Sequence, residues 1–365
     1  MYLYEHKDWS RFTRDDREVT PLLTAVRFAQ GRLLGRVADL GFSVTQTAEL
    51  DALTDEVITS SGIEGVELDA RSVRSSVARQ LGVDYPQAVG DTHAVDGAVQ
   101  MTLDATMRFA EPLTASRLCG WQAALFPTGR SGMHEITVGA WRHDVMQVVS
   151  GGHGSERVHY QAPAPEQVPG LMADFLDWFE SKRVVDDVLR AGLAHLWFLT
   201  IHPFDDGNGR VARALTELAL ARSDGSPRRF YTMSSAILAD RSAYYQVLEQ
   251  TQKGGRDVTA WLVWFLSTLL DALQDSEQKL AAVLARATFW QRLEGVALSE
   301  RQRFMLTRLL GDFEGKLTSA KWAKMTKVSQ DTATRDINDL VDKGVLARDA
   351  GGRSTSYRVV GLVAN

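Results

Sequence analysis

The sequence contains a single cysteine, Cys119, in 365 residues. A disulfide framework or a cysteine-based zinc site needs several cysteines, so both are excluded, and a reducing compartment is indicated. No apolar run approaches the roughly eighteen residues that a membrane-spanning helix requires. Residues 1–9 are charged and aromatic, unlike a secretory signal. We therefore expect a cytoplasmic protein without a membrane partner.

Strong charge of either sign is also missing. The net charge is −5 at pH 7, which argues against a protein that binds nucleic acid over its whole surface. The sequence shows no internal repeat and no low-complexity tract. With 365 residues, of which 44% are hydrophobic, the chain is long enough for two or three domains with a substantial core.

One stretch concentrates the residues that carry chemistry. Residues 202–210 read His-Pro-Phe-Asp-Asp-Gly-Asn-Gly-Arg, and Arg213 follows three residues later. The preceding residues 188–200 are apolar on nearly every face and predict a fully buried helix. Residues 210–222 carry apolar side chains at helical spacing. Pro203 and the glycines predict a tight loop between the two helices.

The loop has the parts of an anion site. The backbone N–H groups of Gly207, Asn208 and Gly209 would lie at a helix N-terminus, where anions bind. Arg210 and Arg213 lie one turn apart, so both guanidiniums can face the same anion. This arrangement suits a phosphate group, which a guanidinium binds through two parallel N–H groups.

Two further side chains add reactivity to this site. Asp206 supplies carboxylate oxygens, and Mg²⁺ is usually held by one or two carboxylates together with phosphate oxygens. His202 can accept a proton near neutral pH. Together the residues predict a site in which a hydroxyl attacks a magnesium-bound polyphosphate.

Two other interpretations of this stretch are weaker. Residues 207–212 also fit the Gly-x-Gly-x-x-Ala dinucleotide fingerprint, but that motif requires a preceding strand within a βαβ unit, and the sequence predicts neither. The other interpretation is a helix–loop–helix whose histidine and arginines only cap and solvate the chain. Few accidental motif matches are as fully specified as this one.

Residues 202–210 closely resemble the signature of the Fic family, His-x-Phe-x-(Asp/Glu)-Gly-Asn-Gly-Arg, and match it at every specified position. The resemblance implies a protein adenylyltransferase that transfers AMP from ATP to a Ser, Thr or Tyr hydroxyl of a target protein, or of itself. It implies that His202 is the general base, that Asp206 holds Mg²⁺ and that Phe204 anchors the loop. The signature leaves Asp205 unspecified, and we expect it to face solvent.

The same resemblance implies how the nucleotide is held. Asn208 and the amides of Gly207 and Gly209 would cradle the α- and β-phosphates. Arg210 and Arg213 would bind the β- and γ-phosphates.

Residues 60–65, Ser-Ser-Gly-Ile-Glu-Gly, would by themselves be a helix end with an exposed acid. Beside the main motif they resemble the inhibitory pattern (Ser/Thr)-x-x-x-Glu-(Gly/Asn) of Fic proteins that are inhibited by their own N-terminal segment. The resemblance implies that Glu64, with Ser60 opening the motif, pairs with Arg213 and takes the place of the γ-phosphate. An exposed pair contributes only about 0–1 kcal/mol, so effective inhibition requires an enclosed pair.

A β-hairpin is predicted between residues 136 and 149. Residues 136–141 and 145–149 are rich in β-branched side chains and are joined by residues 142–144. In Fic proteins the matching hairpin, the flap, lies over the active site and holds the target by strand addition. The resemblance places these residues in the flap strand: Thr137, Val138, Gly139, Ala140 and Trp141. A hairpin that only packs against the core is the alternative.

Two adjacent tyrosines, Tyr244 and Tyr245, lie in a helix predicted over residues 239–251. Core packing is the ordinary role of such residues. Similarity to Fic proteins places a tyrosine pair near the nucleotide, where one would line the adenine pocket. Gln252 occupies a family position that is often Asn, which leaves the contacts to base and ribose open.

The C-terminal residues 299–365 differ in charge from the rest, with twelve Lys and Arg against eight Asp and Glu. Their pattern predicts three helices followed by a hairpin. The helices are expected at residues 301–310, 318–326 and 329–343, and the strands at 345–348 and 356–359.

This C-terminal pattern resembles a winged helix-turn-helix, in which Arg353 would lie on the wing. The start of the recognition helix would present Gln330, Thr332, Thr334 and Arg335. The same fold can serve as a protein-contact module, and the acids on this helix weaken the case for DNA because phosphate contacts dominate DNA affinity. These acids are Asp331, Asp336, Asp339 and Asp342.

The sequence as a whole predicts a mostly α fold, namely a Fic-type helical bundle core with a β-hairpin flap. In the N-terminal segment, Thr20 as a cap and Pro21 in the first turn predict where the first helix begins. Four domains are expected: residues 1–110, helical with the inhibitory motif; 111–275, the catalytic core; 276–298, a linker helix; and 299–365, the winged helix. The rival functions are a DNA-binding regulator with a vestigial core and a Fic enzyme that transfers or removes another phosphate-containing group. The sequence also leaves open whether the chain forms a homodimer.

Overall fold

The computed structural model describes residues 1–38, 41–83, 85, 93–150, 157–181, 185–310, 313, 315–349 and 355–361. The chain forms two compact units, Met1–Gln278 and Lys279–Asn365. Within the described ranges, no helix combines the length and apolarity that crossing a bilayer requires. The mostly helical fold predicted from the sequence is confirmed for the described part.

The first part of unit 1 is helical. Side-chain caps fix the start of two of its helices: the Asp69 side chain accepts the N–H of Ser72 at 2.8 Å, and the Thr114 hydroxyl accepts that of Arg117 at 3.1 Å. Gly82 ends the helix that Asp69 begins, in the left-handed conformation that a C-cap glycine favours. The helices are α1 (Asp16–Ala38), α2 (Phe42–Ile63), α3 (Ala70–Leu81), α4 (His93–Met107) and α5 (Ala115–Leu125).

The prediction that the first helix begins at Thr20 was wrong. The helix begins four residues earlier, because Asp15 Oδ1 accepts the N–H of Arg17 at 2.8 Å and caps an earlier turn. Pro21 therefore lies inside α1 rather than in its first turn.

The second part of unit 1 contains two short hairpins and the central helices. The strands are β1 (Arg130–Ser131), β2 (His134–Glu135), β3 (Gln147–Ser150) and β4 (Arg157–Gln161). The helices are α6 (Val168–Glu180), α7 (Asp187–Ile201), α8 (Asn208–Asp224), α9 (Met233–Ala239), α10 (Arg241–Gln252) and α11 (Thr259–Arg292). The boundary between the two units falls inside α11, whose last residues overlap the linker helix predicted for residues 276–298.

The core of unit 1 is built around α7 and α8. Every residue of α7 from Ala191 to Ile201 is buried, which confirms the fully buried helix predicted there. Gly192 allows α11 to approach closely, because a methyl group at Gly192 would lie 2.9 Å from Phe265 Cδ1. The Trp261 indole N–H also donates to the Gly192 carbonyl at 2.8 Å. The short connection between α7 and α8 is thus held between rigid elements.

After the end of α11, the described residues of unit 2 form three helices and a two-stranded antiparallel sheet, as predicted. The turn between the second and third helices is made by Lys327, which has a left-handed backbone, and by Ser329, which caps the third helix. The elements are α12 (Glu300–Leu310), α13 (Ser319–Thr326), α14 (Gln330–Asp342), β5 (Leu346–Arg348) and β6 (Tyr357–Val359). The predicted wing residue Arg353 lies outside the described residues. The assignment to a winged helix-turn-helix stays a prediction.

Candidate active site

The candidate site is the loop between α7 and α8. His202 ends α7 with a left-handed backbone, φ 52°, and its N–H donates to the Phe198 carbonyl at 2.9 Å. Gly207 begins the next helix at φ 88°, a conformation that other residues rarely adopt. A methyl group at Gly207 would also lie 2.9 Å from Phe126 Cε2, so both the backbone conformation and the available space require glycine here. Phe204 is fully buried and anchors the loop, as predicted.

The side chain of Asn208 closes this loop. Its Oδ1 accepts the N–H of Phe204 at 3.0 Å, and its Nδ2 donates to the Phe204 carbonyl at 2.7 Å. The side-chain amide is buried and used for these two bonds, so it is not left for a ligand. The backbone N–H of Asn208 lies in the first turn of α8, where no helical carbonyl can accept it, and could still bind a phosphate. The predicted contact of Asn208 with phosphate therefore stays a prediction for the backbone.

His202 has the properties of a neutral base. Burial lowers the pKa of its imidazole to about 4, although a hydrogen bond to the Leu199 carbonyl acts in the opposite direction. The nearby charges also oppose each other, since Arg142 lowers this pKa while Glu64 and Asp206 raise it. The ring is therefore uncharged at neutral pH and can accept a proton.

Two neighbouring carboxylates of the loop face different partners. Asp206 Oδ1 accepts the N–H of Gly207 at 2.5 Å, and its Oδ2 accepts the Ser131 hydroxyl on β1. Asp205 Oδ2 accepts the N–H of Thr137 at 2.8 Å, so the expectation that Asp205 faces solvent was wrong. A backbone donor from a segment 68 residues away in the sequence holds this side chain.

The donor set at Asp206 fits Mg²⁺ held together with a phosphate. In the described part of the chain, no group of three or more His, Cys, Asp or Glu side chains could hold a metal alone. Mg²⁺ keeps most of its shell for water and substrate phosphates and needs only one or two carboxylates. A single half-buried, oriented carboxylate such as Asp206 meets that requirement.

The first arginine of the motif, Arg210, is buried in the site. Arg210 is 9% exposed, and its Nε has no hydrogen-bond partner among the described residues. Its guanidinium carbon lies 4.9 Å from the centre of the Phe126 ring. Burial lowers the pKa of Arg210, and Asp206 and Glu64 only partly offset this. A buried polar atom without a partner is costly, so the geometry favours an anionic ligand here.

The second arginine is paired with α2. Arg213 is 2% exposed; its Nε donates to Ser60 Oγ at 2.9 Å and its Nη2 to the Ser60 carbonyl at 2.7 Å. Its Nη1 lies 2.8 Å from Glu64 Oε1, and the Glu64 side chain is 31% exposed. Burial acts to lower the pKa of Arg213, but the Glu64 carboxylate outweighs this effect, so the pKa of Arg213 is raised. The structure thus brings together the two predicted inhibitory residues and the second arginine.

Glu64 also covers the start of α8. A methyl group at Gly209 would lie 2.0 Å from Glu64 Oε1, so the carboxylate packs directly on this glycine. Two residues hold the C-terminal half of α2, the helix that Glu64 follows. Ile63 is fully buried, and the Glu56 carboxylate accepts the hydroxyls of Thr232 and Ser234. An anion at the N-terminus of α8 and the Glu64 carboxylate would compete for one place.

The two tyrosines on α10 have different surroundings. Tyr244 is buried, and its hydroxyl lies 2.9 Å from His195 Nε2 in the core. Tyr245 is 37% exposed, and its hydroxyl lies 3.5 Å from Glu64 Oε2. Gln252 is buried and donates to the Leu199 carbonyl at 3.1 Å. Of the predicted nucleotide-binding pair, only Tyr245 reaches the surface of the site.

The predicted pairing of the hairpin was wrong. The strands are β3 and β4, which pair Gln147 with Gln161 and Ser150 with Arg157, whereas residues 137–141 form no strand. Gly139 has φ 70°, and its N–H donates to Gln122 Oε1 at 2.7 Å, so this segment is tied to α5 instead of to another strand. The remaining candidates of the segment, Val138 and Ala140, therefore lie in a loop as well.

Sequence reasoning missed several side chains that shape the site. The clearest is Arg142, whose guanidinium donates to the carbonyls of His202, Asp144 and Pro163. Ser131 is another, since its hydroxyl orients Asp206. These residues carry no motif, and their contacts join segments far apart in the chain, so no local signal could have found them.

Comparison with known proteins finds similarity to one named family and to one domain of unknown function. Residues 112–220 match the model of the Fic/DOC family, and residues 2–83 match a domain of unknown function, DUF4172. The chain is 26% identical over 256 residues to "Protein adenylyltransferase Fic" of Aedes aegypti, a match that covers 69% of this chain and 45% of that protein. It is 46% identical over 66 residues to "Protein adenylyltransferase fic-1" of Caenorhabditis briggsae, covering 18% of this chain and 13% of that protein.

The fold has a solved counterpart. A crystal structure of a Fic family protein from Desulfovibrio desulfuricans superposes with a TM-score of 0.52 at 20% identity, covering 95% of this chain and 97% of that one. The matched parts span less than half the length of the two adenylyltransferases above. The chain is therefore similar to the Fic/DOC family over residues 112–220 and to the named adenylyltransferases, and it shares its fold with the solved Fic family protein.

Proposed function

We propose that this chain is a protein adenylyltransferase that transfers AMP from ATP to a hydroxyl of a target protein. One observation carries the proposal: the loop from His202 to Arg213 combines a neutral imidazole, an oriented carboxylate and a buried guanidinium whose Nε lacks a partner among the described residues. The names of the relatives given above point in the same direction.

The nucleotide is held at the start of α8. The first-turn N–H groups there have no helical carbonyl to donate to, and the helix dipole favours a negative charge. Arg210 supplies a buried guanidinium whose Nε has no partner among the described residues. Gly209 has no side chain, so a phosphate can approach the backbone in the place where the Glu64 carboxylate lies. The triphosphate of ATP meets all three requirements, with Arg213 completing the site once Glu64 has moved away.

The reaction follows from the position of His202. The neutral imidazole takes the proton of the target hydroxyl, and the hydroxyl oxygen forms a bond to the α-phosphorus. The bond from that phosphorus to the oxygen bridging to the β-phosphate breaks, and pyrophosphate leaves. Removing such a general base costs about 10²–10⁴-fold in rate.

Asp206 would hold Mg²⁺ together with the phosphates. When bound, the ion would neutralise charge on the phosphate oxygens. The Gly207 N–H and the Ser131 hydroxyl already fix the orientation of this carboxylate.

Glu64 regulates the site in this proposal. Its carboxylate pairs with Arg213 and packs on Gly209, where the γ-phosphate has to lie. ATP therefore has to displace Glu64 before it can bind in a reactive position.

The target segment is held by β3 in this proposal. Within the described residues β3 pairs only with β4, which leaves its other edge to accept an extended peptide. This takes over the role that the resemblance to Fic proteins implied for residues 137–141.

The proposal is tested with ATP labelled at either end. Glu64→Gly protein is incubated with a cell lysate and with α-labelled or γ-labelled ATP. Protein bands labelled from the α-position alone support AMP transfer, and they show the targets and any self-modification. Label from the γ-position would mean phosphoryl transfer, and label from neither would refute the proposal.

Binding of DNA through unit 2 is a second candidate. α14 follows a tight turn, is capped by Ser329 and exposes Gln330 and Arg335 near its start. Two of the acids that weaken this candidate are paired within the unit, since Asp336 binds Arg301 and Asp339 binds Lys343. A gel shift on random DNA at several salt concentrations tests it, and no shift at low salt would refute it.

A further inference from the structure

We propose that Arg142 is a positioning residue that holds the backbone of His202 in the conformation from which the imidazole acts. The inference rests on the proposed function, because it concerns the base of that reaction. It is carried by the contacts of Arg142 with two distant segments, residues 202–203 and Pro163, and with Asp144 of its own segment.

The contacts of Arg142 surround the residues after α7. Its Nε donates to the His202 carbonyl at 2.8 Å, and its own backbone N–H donates to the Pro203 carbonyl at 2.9 Å. Its Nη1 donates to the Asp144 carbonyl at 2.8 Å, and its Nη2 to the Pro163 carbonyl at 2.6 Å. Two consecutive carbonyls of the catalytic loop are therefore held by one residue.

His202 needs such support. It is one of three non-glycine residues with positive φ in the described part of the chain, and a bulky side chain in this region of φ and ψ is strained. Its carbonyl oxygen also lies at the C-terminal end of α7, where no N–H group of the helix can donate to it. Strain of this kind persists only when surrounding groups fix the conformation.

The kind of side chain matters here. Arg142 is 1% exposed, and its three side-chain bonds go to backbone carbonyls rather than to a carboxylate. A charged group is costly to bury in this way, and a hydrophobic residue would fill the volume more cheaply. A planar guanidinium can direct N–H groups to three acceptors at fixed angles, whereas an ammonium group on a flexible stem cannot. Holding the loop explains why a guanidinium is placed here.

The test uses Arg142→Lys and Arg142→Gln, with Arg229→Lys as the matched control. Arg229 is equally buried, but it binds Glu217 and Asp224 away from the loop. AMP transfer, equilibrium binding of ATP and thermal stability are measured for each protein. A displacement of about 1 Å at a reacting group can cost roughly 10²-fold in rate, so both Arg142 variants are expected to lose transfer on that scale while ATP binding is unchanged. The control is expected to lose stability without this loss of rate per folded molecule.

A second readout does not depend on activity. With ¹³Cα-labelled histidine, the His202 signal, identified by its absence in His202→Ala, reports the backbone conformation. It is expected to shift in both Arg142 variants, while the signal of buried His195 stays in place. An unchanged His202 signal would overturn the inference even if transfer fell. If the signal shifts in the variants but the protein with Arg142 intact transfers no AMP either, the proposed function is refuted and the inference about the backbone of His202 stands. Loss of folding in both variants, under conditions in which the control folds, would also overturn it by making Arg142 a scaffold residue.

Discussion

Replacing Glu64 by glycine is expected to raise both ATP affinity and the rate of AMP transfer. The variant removes a carboxylate whose Oε1 lies 2.8 Å from Arg213 Nη1 and which occupies the space beside Gly209. The helix backbone should stay in place, because Ser60 still binds Arg213. The perturbation therefore acts on the competition for Arg213 rather than on the fold.

The magnitude follows from the burial of the pair. Two unit charges about 4 Å apart interact by about 4 kcal/mol at an effective dielectric constant near 20, and desolvation opposes part of this. Arg213 is 2% exposed but Glu64 is 31% exposed, so the pair lies between the exposed and the buried limits. A coupling of about 1–3 kcal/mol corresponds to a roughly 5–150-fold change in affinity.

The assay compares parent, Glu64→Gly and Glu67→Gly. Glu67 is exposed three residues further along and serves as the matched control for a glycine in this segment. Equilibrium binding of ATP gives the affinity, and α-labelled ATP gives the transfer rate. If Glu64→Gly binds and transfers no better than Glu67→Gly, Glu64 does not regulate this site.

Three further predictions concern the base and the fold. His202→Ala should lower AMP transfer about 10²–10⁴-fold while equilibrium binding of ATP is kept; unchanged turnover would remove His202 from the mechanism. Gly97→Ala should lower the free energy of unfolding by about 1–3 kcal/mol or more, because the added methyl would lie 1.8 Å from the Ala124 carbonyl oxygen. In the control, Gly120→Ala, the methyl meets no atom within 4 Å and should not destabilise the protein. Denaturant titration measures both variants, and equal stabilities would contradict the packing described at Gly97. The pKa values of His202 and His195 are lowered to about 4 and about 3 from an ordinary 6.5, so these two groups bind fewer protons in the folded chain and their contribution to the free energy of unfolding falls as the pH is lowered from 6.5 towards 4. Burial raises the pKa of Glu217 to about 7, which acts in the opposite direction over part of this range but is one group against two, so a net fall is expected. Unfolding curves across this range check the slope, and a rise would refute it.

The parts of the fold that follow from local patterns were predictable. The buried helix α7 has apolar residues on every face, and the caps at Asp69 and Thr114 are side-chain signals within one turn. The glycines of the loop indicate its tight turn in the same way. The pairing of Glu64 with Arg213 was implied only by resemblance, since 149 residues separate the two in the sequence.

The errors at residues 137–141 and at Asp205 arose where a distant group decides the structure. Residues 137–141 have the composition of a strand, but Thr137 is bonded to Asp205 and Gly139 to Gln122, so they form a loop. Which backbone groups a polar side chain reaches depends on tertiary packing, and spacing along the sequence does not record it.

Because α2 is rigidly attached, the site can open only through motion of the Glu64 side chain. Ile63 is fully buried and Glu56 is hydrogen-bonded to α9 and the residue before it, so the peptide backbone at Glu64 has little freedom. The partly exposed carboxylate can still rotate about its own side-chain bonds, a motion that takes picoseconds to nanoseconds in exposed side chains. Under the proposed function, Glu64 is then a tethered competitor of ATP rather than a latch that another molecule has to release, and the activity would rise smoothly with the cellular supply of nucleotide.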